Sequence, residues 1–208
     1  DVETAQMLKP NVLEIVMAPS FAPDALELHC TKKNLRVLKV DMSKDNTVRK
    51  QYVSMNGGML VQDRDINTKP VSAEQGVTES KPTAEQLADL EFAWKIVKHV
   101  KSNAIVVAKN GMTYGVGAGQ MNRIGSAEIA LKQAQATLKE EGKDIMTEGL
   151  VLASDGFFPF NDCVALAAEY GIKAIVQPGG SIRDEDSVKL ADEKGITMLF
   201  TGERHFKH

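Results

Sequence analysis

Phe157, Phe158 and Phe160, three of only seven phenylalanines in the chain, crowd one short connection. A surface connection is normally polar, so the rings read as the wall of a pocket for a flat aromatic ligand or as part of a subunit interface. Burial of single rings as ordinary core is the competing reading. Further on, Pro178-Gly179-Gly180-Ser181 puts small residues and open backbone N–H groups at the entrance to a helix, which suits an oxygen-rich group. A bland reading stands beside it: Ser181 with Asp184 satisfies the helix-capping pattern, and Asp162, opening another helix, fits a cap equally well.

Gly115-Val116-Gly117-Ala118-Gly119 lies between a strand and a helix and invites a dinucleotide reading. Gln120 and Asn122 stand where the third glycine of that fingerprint is needed, and no acidic residue follows about twenty positions on. These glycines instead permit close approach of the backbone to a ligand or a neighbouring helix. Arg123, in the first turn of that helix, opposes the macrodipole and hints at an anionic or polar partner, with a solvated side chain as the alternative. The histidines (His29, His99, His205, His208) lack metal-ligand spacing, which disfavours a catalytic zinc. Lys98-His99 has the look of a base pair for catalysis, but it ends an amphipathic helix, where cations are favoured anyway. Cys30 and Cys163 are far apart, which argues against a disulfide framework and for a reducing compartment.

The elements that must position these residues follow from periodicity. Strands are predicted over 12–18, 35–40 and 59–62, with a helix over 23–31. Residues 63–81 are polar and read as a surface loop, the only plausible internal boundary. Thr83 and Gln86 form a capping box ahead of a helix bearing Leu87, Leu90, Trp94 and Val97. A β-hairpin is predicted over 104–108 and 113–116. The next helix carries Ile124, Ala127, Leu131, Ala134 and Leu138 on one stripe and ends near Gly142. The remainder alternates strand 150–153, helix 162–170, strand 172–177, helix 183–194 and strand 196–200, a pair of βαβ units with a parallel sheet. Right-handed crossovers would then bring the loops 154–161 and 178–182 to one sheet edge, the default ligand site. Residues 204–208 either fold back over that edge or fray.

The 208 residues, 43% hydrophobic and 25% charged, are ordinary for a globular α/β protein. A net charge of −3 is too balanced for a nucleic-acid surface, and the apolar stretches are too short to span a bilayer. The start Asp1-Val2-Glu3-Thr4 has neither an initiator Met nor a signal-peptide pattern, so a fragment or processed chain is expected.

Five motifs in order carry a resemblance. They are Val100-Lys101-Ser102-Asn103-Ala104-Ile105, Gly117-Ala118-Gly119-Gln120 with Arg123, Ser154-Asp155-Gly156-Phe157-Phe158-Pro159-Phe160, Gln177-Pro178-Gly179-Gly180-Ser181, and Arg204-His205-Phe206. With Glu14-Ile15-Val16-Met17-Ala18-Pro19 and Gly57-Gly58-Met59-Leu60-Val61-Gln62-Asp63 they make nearly the whole chain resemble the AICAR transformylase/IMP cyclohydrolase family. The matching part is the second of two cytidine-deaminase-like halves of the transformylase region. The resemblance therefore implies an α/β fold with a layered sheet and helices on both faces. Gly156 and Asn161 depart from the family's usual alanine and arginine.

What the resemblance implies is formyl transfer from 10-formyltetrahydrofolate to the 5-amino group of AICAR in purine biosynthesis, in a cytoplasmic homodimer whose sites combine residues of both subunits. Asn103, Arg123, Phe157 and Arg204 match positions that contact the nucleotide, Asn103 with a catalytic role. Ile124, Pro159, Phe160, Asp162, Ser181 and Phe206 match the folate side, and Asp155 resembles a monovalent-cation (K+) site. The family's lysine–histidine pair and its cyclohydrolase domain lie upstream, and Lys98-His99 matches a different motif. The chain alone is thus expected to be inactive. A second expectation is a structural or dimerisation module with the aromatic loop as interface. A zinc nucleoside deaminase fails, because the H-x-E and P-C-x-x-C patterns are missing.

Overall fold

Capped amphipathic segments alternate with short β-branched runs, and the computed structural model, which describes residues 1–41, 50–67 and 69–208, turns them into two compact units, Asp1–Arg64 and Asp65–His208. Thr68, within the stretch read as a surface loop, lies outside the described residues.

The first unit contains α1 (Val2–Leu8), β1 (Ile15–Ala18), α2 (Pro23–Cys30), β2 (Arg36–Lys39), β3 (Lys50–Met55) and β4 (Gly58–Asp63). β1 and β2 pair in parallel, whereas β3 and β4 form an antiparallel hairpin whose turn needs the positive φ of Gly57. Sequence periodicity missed α1 and β3 for a shared reason. α1 buries only Ala5, and β3 is exposed at every position but Gln51, so neither has a core face to stamp a pattern on its residues.

The second unit holds α3 (Ala84–Val97), β5 (Ile105–Lys109), β6 (Met112–Gly117), α4 (Arg123–Glu140), α5 (Ile145–Glu148), β7 (Val151–Ser154), α6 (Asp162–Glu169), β8 (Ala174–Gln177), α7 (Asp184–Lys194) and β9 (Thr197–Phe200). The sheet order is β6-β5-β7-β8-β9. β7, β8 and β9 run parallel, as two βαβ units require, and β5 is antiparallel to both β6 and β7. Alternation along the strands feeds two cores. Ile105, Val107, Leu150 and Leu152 pack with residues of α4, α6 and α7, while Val106, Ala108, Val151 and Val176 pack with Leu90, Ala93, Trp94 and Val97 of α3. The α3 start is the expected capping box: Gln86 N–H donates to Thr83 Oγ1 at 3.1 Å, and Thr83 N–H to Gln86 Oε1 at 3.0 Å.

One feature differs from the sequence reading, and one settles an alternative it left open. The stretch after Asp65 is not a surface loop throughout. It buries Val71 and Thr78, makes a 3-10 turn over Ala73–Gln75, and is tied to β9 through Val77 N–H to Met198 O (2.9 Å) and Met198 N–H to Thr78 Oγ1 (2.9 Å). Thr78 is thus bonded to strand backbone, while Lys69, Glu74, Glu79 and Lys81 of the same stretch stay exposed. The glycines of β6, for their part, serve a helix rather than a ligand: a Cβ on Gly115 would lie 1.9 Å from Ala130 O, and one on Gly117 only 1.8 Å from Ser126 O, both on the backbone of α4.

The packing of α6 also fixes the behaviour of the two thiols. Cys163 is 1% exposed, and burial, reinforced by the neighbouring Asp162 carboxylate, pushes its thiol up to about 12, against a lesser pull down from Arg123. At pH 8 its thiolate fraction is about one in ten thousand. An electrophile such as iodoacetamide is therefore expected to label exposed Cys30 in the native chain and to reach Cys163 only after denaturation, as peptide mass mapping will read. Equal labelling of both would contradict the packing of α6.

Candidate functional site

Antiparallel pairing of β5 with β7 sets Ile105 opposite Ser154, so the residues entering β5 lie beside those leaving β7. At that junction Asp155 is fully buried. Its carboxylate accepts from Arg123 Nη1, from Ser102 Oγ and, at 3.1 Å, from Ala104 N–H. Arg123, itself 8% exposed, also donates through Nη1 to Ser154 Oγ and through Nη2 to Asn103 Oδ1, both at 2.9 Å. Asn103 Nδ2 donates to Gln120 O at 2.9 Å, and Ser126 Oγ to Asn103 O at 2.7 Å. The anionic partner inferred from the position of Arg123 is thus the protein's own Asp155. That pair holds a guanidinium at a helix N-terminus, where the macrodipole would otherwise disfavour it.

The last residues fold back onto this junction rather than fray. His205 N–H donates to Asp155 O at 3.0 Å, Ser102 N–H to Lys207 O at 2.8 Å, and Lys207 N–H to Ser102 Oγ at 3.0 Å. Arg204 stacks its guanidinium over the Phe206 ring, 5.1 Å from the centroid. A Cβ on Gly156 would come within 2.5 Å of Arg123 Nη2 and 2.8 Å of the Phe206 ring. The missing Cβ of Gly156 therefore lets both side chains close over the loop.

A second group forms the rim beyond β7 and β8. Gln177 Oε1 accepts from Phe158 N–H and Gly179 N–H, each at 3.2 Å, and so ties the phenylalanine-rich loop to the glycine-rich one. The three rings divide. Phe158 is fully buried core, a correction to the reading of all three as pocket wall; Phe157 is half-buried; Phe160 is 51% exposed with Arg183 over its face at 5.3 Å. Pro159 and Asp162 are exposed beside it, Ile124 packs half-buried against the core, and Asp162 Oδ1 accepts from Cys163 N–H at 2.8 Å. The Ser181 and Asp184 capping pattern is present in modified form, with Ser181 Oγ accepting from Arg183 N–H at 3.1 Å. Asp184 Oδ2 accepts from Gly180 N–H (2.6 Å) and Ser181 N–H (3.2 Å), so the backbone N–H groups of the loop are already engaged by the helix behind them.

The structure thus gathers Asn103, Arg123, Asp155, Arg204 and Phe206 into an inner group, with Phe160, Asp162 and Ser181 on the outer loops. Ser102, Ser154 and Gln177 were quoted in motifs but not read as site residues; a polar residue where a buried strand begins or ends was the available signal. Lys98 lies elsewhere, 3.4 Å from Asp65 Oδ1, and that carboxylate also meets His205 Nδ1 at 2.5 Å. Burial pushes the Asp65 carboxyl up, but the hydrogen bond and charge of His205, with Lys98 and Asn67 N–H, outweigh it and hold it below its ordinary 3.8. A carboxylate so depressed contributes stability above that value and loses it as pH falls through the folded one.

Three donors, one of them a guanidinium, already meet the carboxylate marked by resemblance for a monovalent cation. The positive charge a cation would bring is supplied by Arg123, so the donor set does not fit a resident ion. Among the described residues no group of three or more His, Cys, Asp or Glu side chains converges as a metal site, and no helix is long and apolar enough to cross a membrane.

Comparison with known proteins adds three findings. A family model described as AICARFT/IMPCHase bienzyme matches residues 1–133. The chain is 55% identical over its full length to the bifunctional purine biosynthesis protein PurH of Anoxybacillus flavithermus and 53% identical to that of Lactobacillus delbrueckii subsp. bulgaricus, spanning 39% of each relative. A solved structure of a mutant of NE0047 in complex with 8-azaguanine is similar over 54% of this chain and 75% of that one, at 17% identity and a TM-score of 0.40, too low to carry an argument about layering.

Proposed function

The chain belongs to the AICARFT/IMPCHase bienzyme family, and from that premise we propose that it supplies nucleotide- and folate-facing residues of a formyltransferase. In this reading the formyl group of 10-formyltetrahydrofolate passes to the 5-amino group of AICAR. A bond forms between that nitrogen and the formyl carbon, the folate N10–carbon bond breaks, and the amine gives up a proton. The amine is a weak nucleophile on an electron-poor imidazole, so alignment has to supply much of the rate. Asn103 orients the carboxamide, Arg123, its charge balanced by Asp155, meets the polar part of the nucleotide and Arg204 the anionic part, and Phe157 stacks on the imidazole. Phe160 and Phe206 stack on the pterin, Asp162 accepts from its amino-bearing edge, and Ile124, Pro159 and Ser181 line the folate side.

The observation that carries the reading is convergence. Residues from motifs as far apart as Ser102 and Lys207 meet at one end of the sheet, with Arg204 and Phe206 stacked beside the Gly156 loop. The whole chain, residues 1–208, we take to be the second cytidine-deaminase-like half, working in a cytoplasmic homodimer, with the lysine–histidine pair in the part of the relatives this chain does not span. Absence of such an acid–base pair costs roughly 10²–10⁴ in rate, so turnover by the chain alone is expected to be negligible.

Calorimetry tests this. AICAR and a reduced folate are titrated into the chain, alone and mixed with the portion of the Anoxybacillus relative that it does not cover. Saturable binding of both ligands is expected, with F160A losing folate and keeping nucleotide. No binding in either preparation overturns the reading, and F160A that loses self-association but keeps folate favours the dimerisation module.

A further inference from the structure

His205 sits between two residues that face outward, yet it is itself 3% exposed. Its ring lies 4.6 Å from that of Trp94, tilted by 54°, and its Nδ1 is 2.5 Å from Asp65 Oδ2, while its own N–H holds Asp155 O. Arg204 and Phe206 project to the other side, where the guanidinium of one covers the ring of the other. That is the alternation of an extended segment: residues i and i+2 share a face and i+1 takes the opposite one. Fixing the middle residue therefore fixes both neighbours.

We infer that Asp65 and His205 are positioning residues: by locking the middle of the 204–206 segment onto Trp94, they hold Arg204 and Phe206 over the Gly156 loop. The identity of what Arg204 and Phe206 then grip rests on the formyltransferase reading; the anchor itself does not. His205 touches no ligand in this arrangement, and its influence passes through the backbone to the residues on either side. Asp65 matters because the imidazole is buried, and a buried polar ring without a partner is costly. Lys98, 3.4 Å from the same carboxylate, keeps Asp65 turned toward the ring.

The test uses H205A, D65N and the conservative H205N, whose side-chain amide reaches the place of Nδ1. Two readouts are taken. Brief trypsin treatment, followed by mass spectrometry, reports whether the chain opens after Arg204. Titration with AICAR and reduced folate, in the chain mixed with the relative's remaining portion, reports affinity. H205A and D65N are expected to be cut about tenfold faster after Arg204 and to bind both ligands about tenfold more weakly, with H205N recovering most of both losses. In D65N, which keeps the ring, emission from Trp94, the chain's single tryptophan, shifts to the red as the tail leaves it. Unaltered cleavage and emission in D65N and H205A overturn the anchor. Fast cleavage with undiminished affinity overturns positioning while leaving the anchor. If the unaltered chain binds neither ligand, the formyltransferase reading fails, and cleavage and emission still decide the anchor.

Discussion

G117A is expected to cost the second unit more than about 3 kcal/mol, at or beyond the upper end of ordinary overpacking. The new Cβ would lie 1.8 Å from Ser126 O and 2.6 Å from Ser126 C, and the obstacle is helix backbone, which has no alternative rotamer to adopt. Either α4 lifts off β6 or the strand bends away. Both routes unpack Ala127, Ala130 and Leu131, which are fully buried against the sheet. Lifting α4 also drags its first residue, Arg123, off Asp155, so any folded remnant loses the inner group too. Urea denaturation followed by far-UV circular dichroism measures this. A midpoint unchanged from the parent would mean that β6 and α4 are not in backbone contact.

D155A is expected to destabilise by about 3–5 kcal/mol, the usual cost of removing one partner of a buried ion pair. The substitution strands the Arg123 guanidinium at 8% exposure, and Ser102 Oγ and Ala104 N–H lose their acceptor at the same time. For a unit of this size the melting temperature should fall by about 10 °C. A control separates stability from recognition. R123M combined with D155L removes both charges and should recover part of the lost stability, because paired replacement by apolar groups is tolerated where single removal is not. The double variant should nevertheless bind no nucleotide. Equal melting temperatures for D155A and the parent would show that Arg123 finds water or another acceptor.

The residues explain why some of this was legible and some was not. Leu150–Phe200 could be read because parallel strands covered on both faces need continuous apolar runs, and the Thr83/Gln86 box wrote the start of α3 into two positions. The glycines of β6 were legible as close-approach positions, but sequence alone could not separate helix from ligand. Asp155 was harder. Its partners Ser102, Ala104 and Arg123 come from two other elements, and an aspartate after a strand looks the same whether it is solvated or buried. Asp65 and His205 left no local pattern at all, since their contact exists only through tertiary folding. Phe158 was misjudged because three rings in one loop look alike until the loop's turn sends one of them inward.

The contacts that complete the inner group join residues 53, 105 and 140 positions apart: Ser102 with Asp155, Ser102 with Lys207, and Asp65 with His205. Each demands that a long stretch of chain first be drawn together, at an entropic cost paid before the contact returns anything. The inner group is therefore expected to assemble after the helices and the hairpin, and on the formyltransferase reading ligand recognition would come with it. On that same reading, a ligand would stabilise only molecules whose inner group is complete, and a half-assembled chain would have nothing to hold one with.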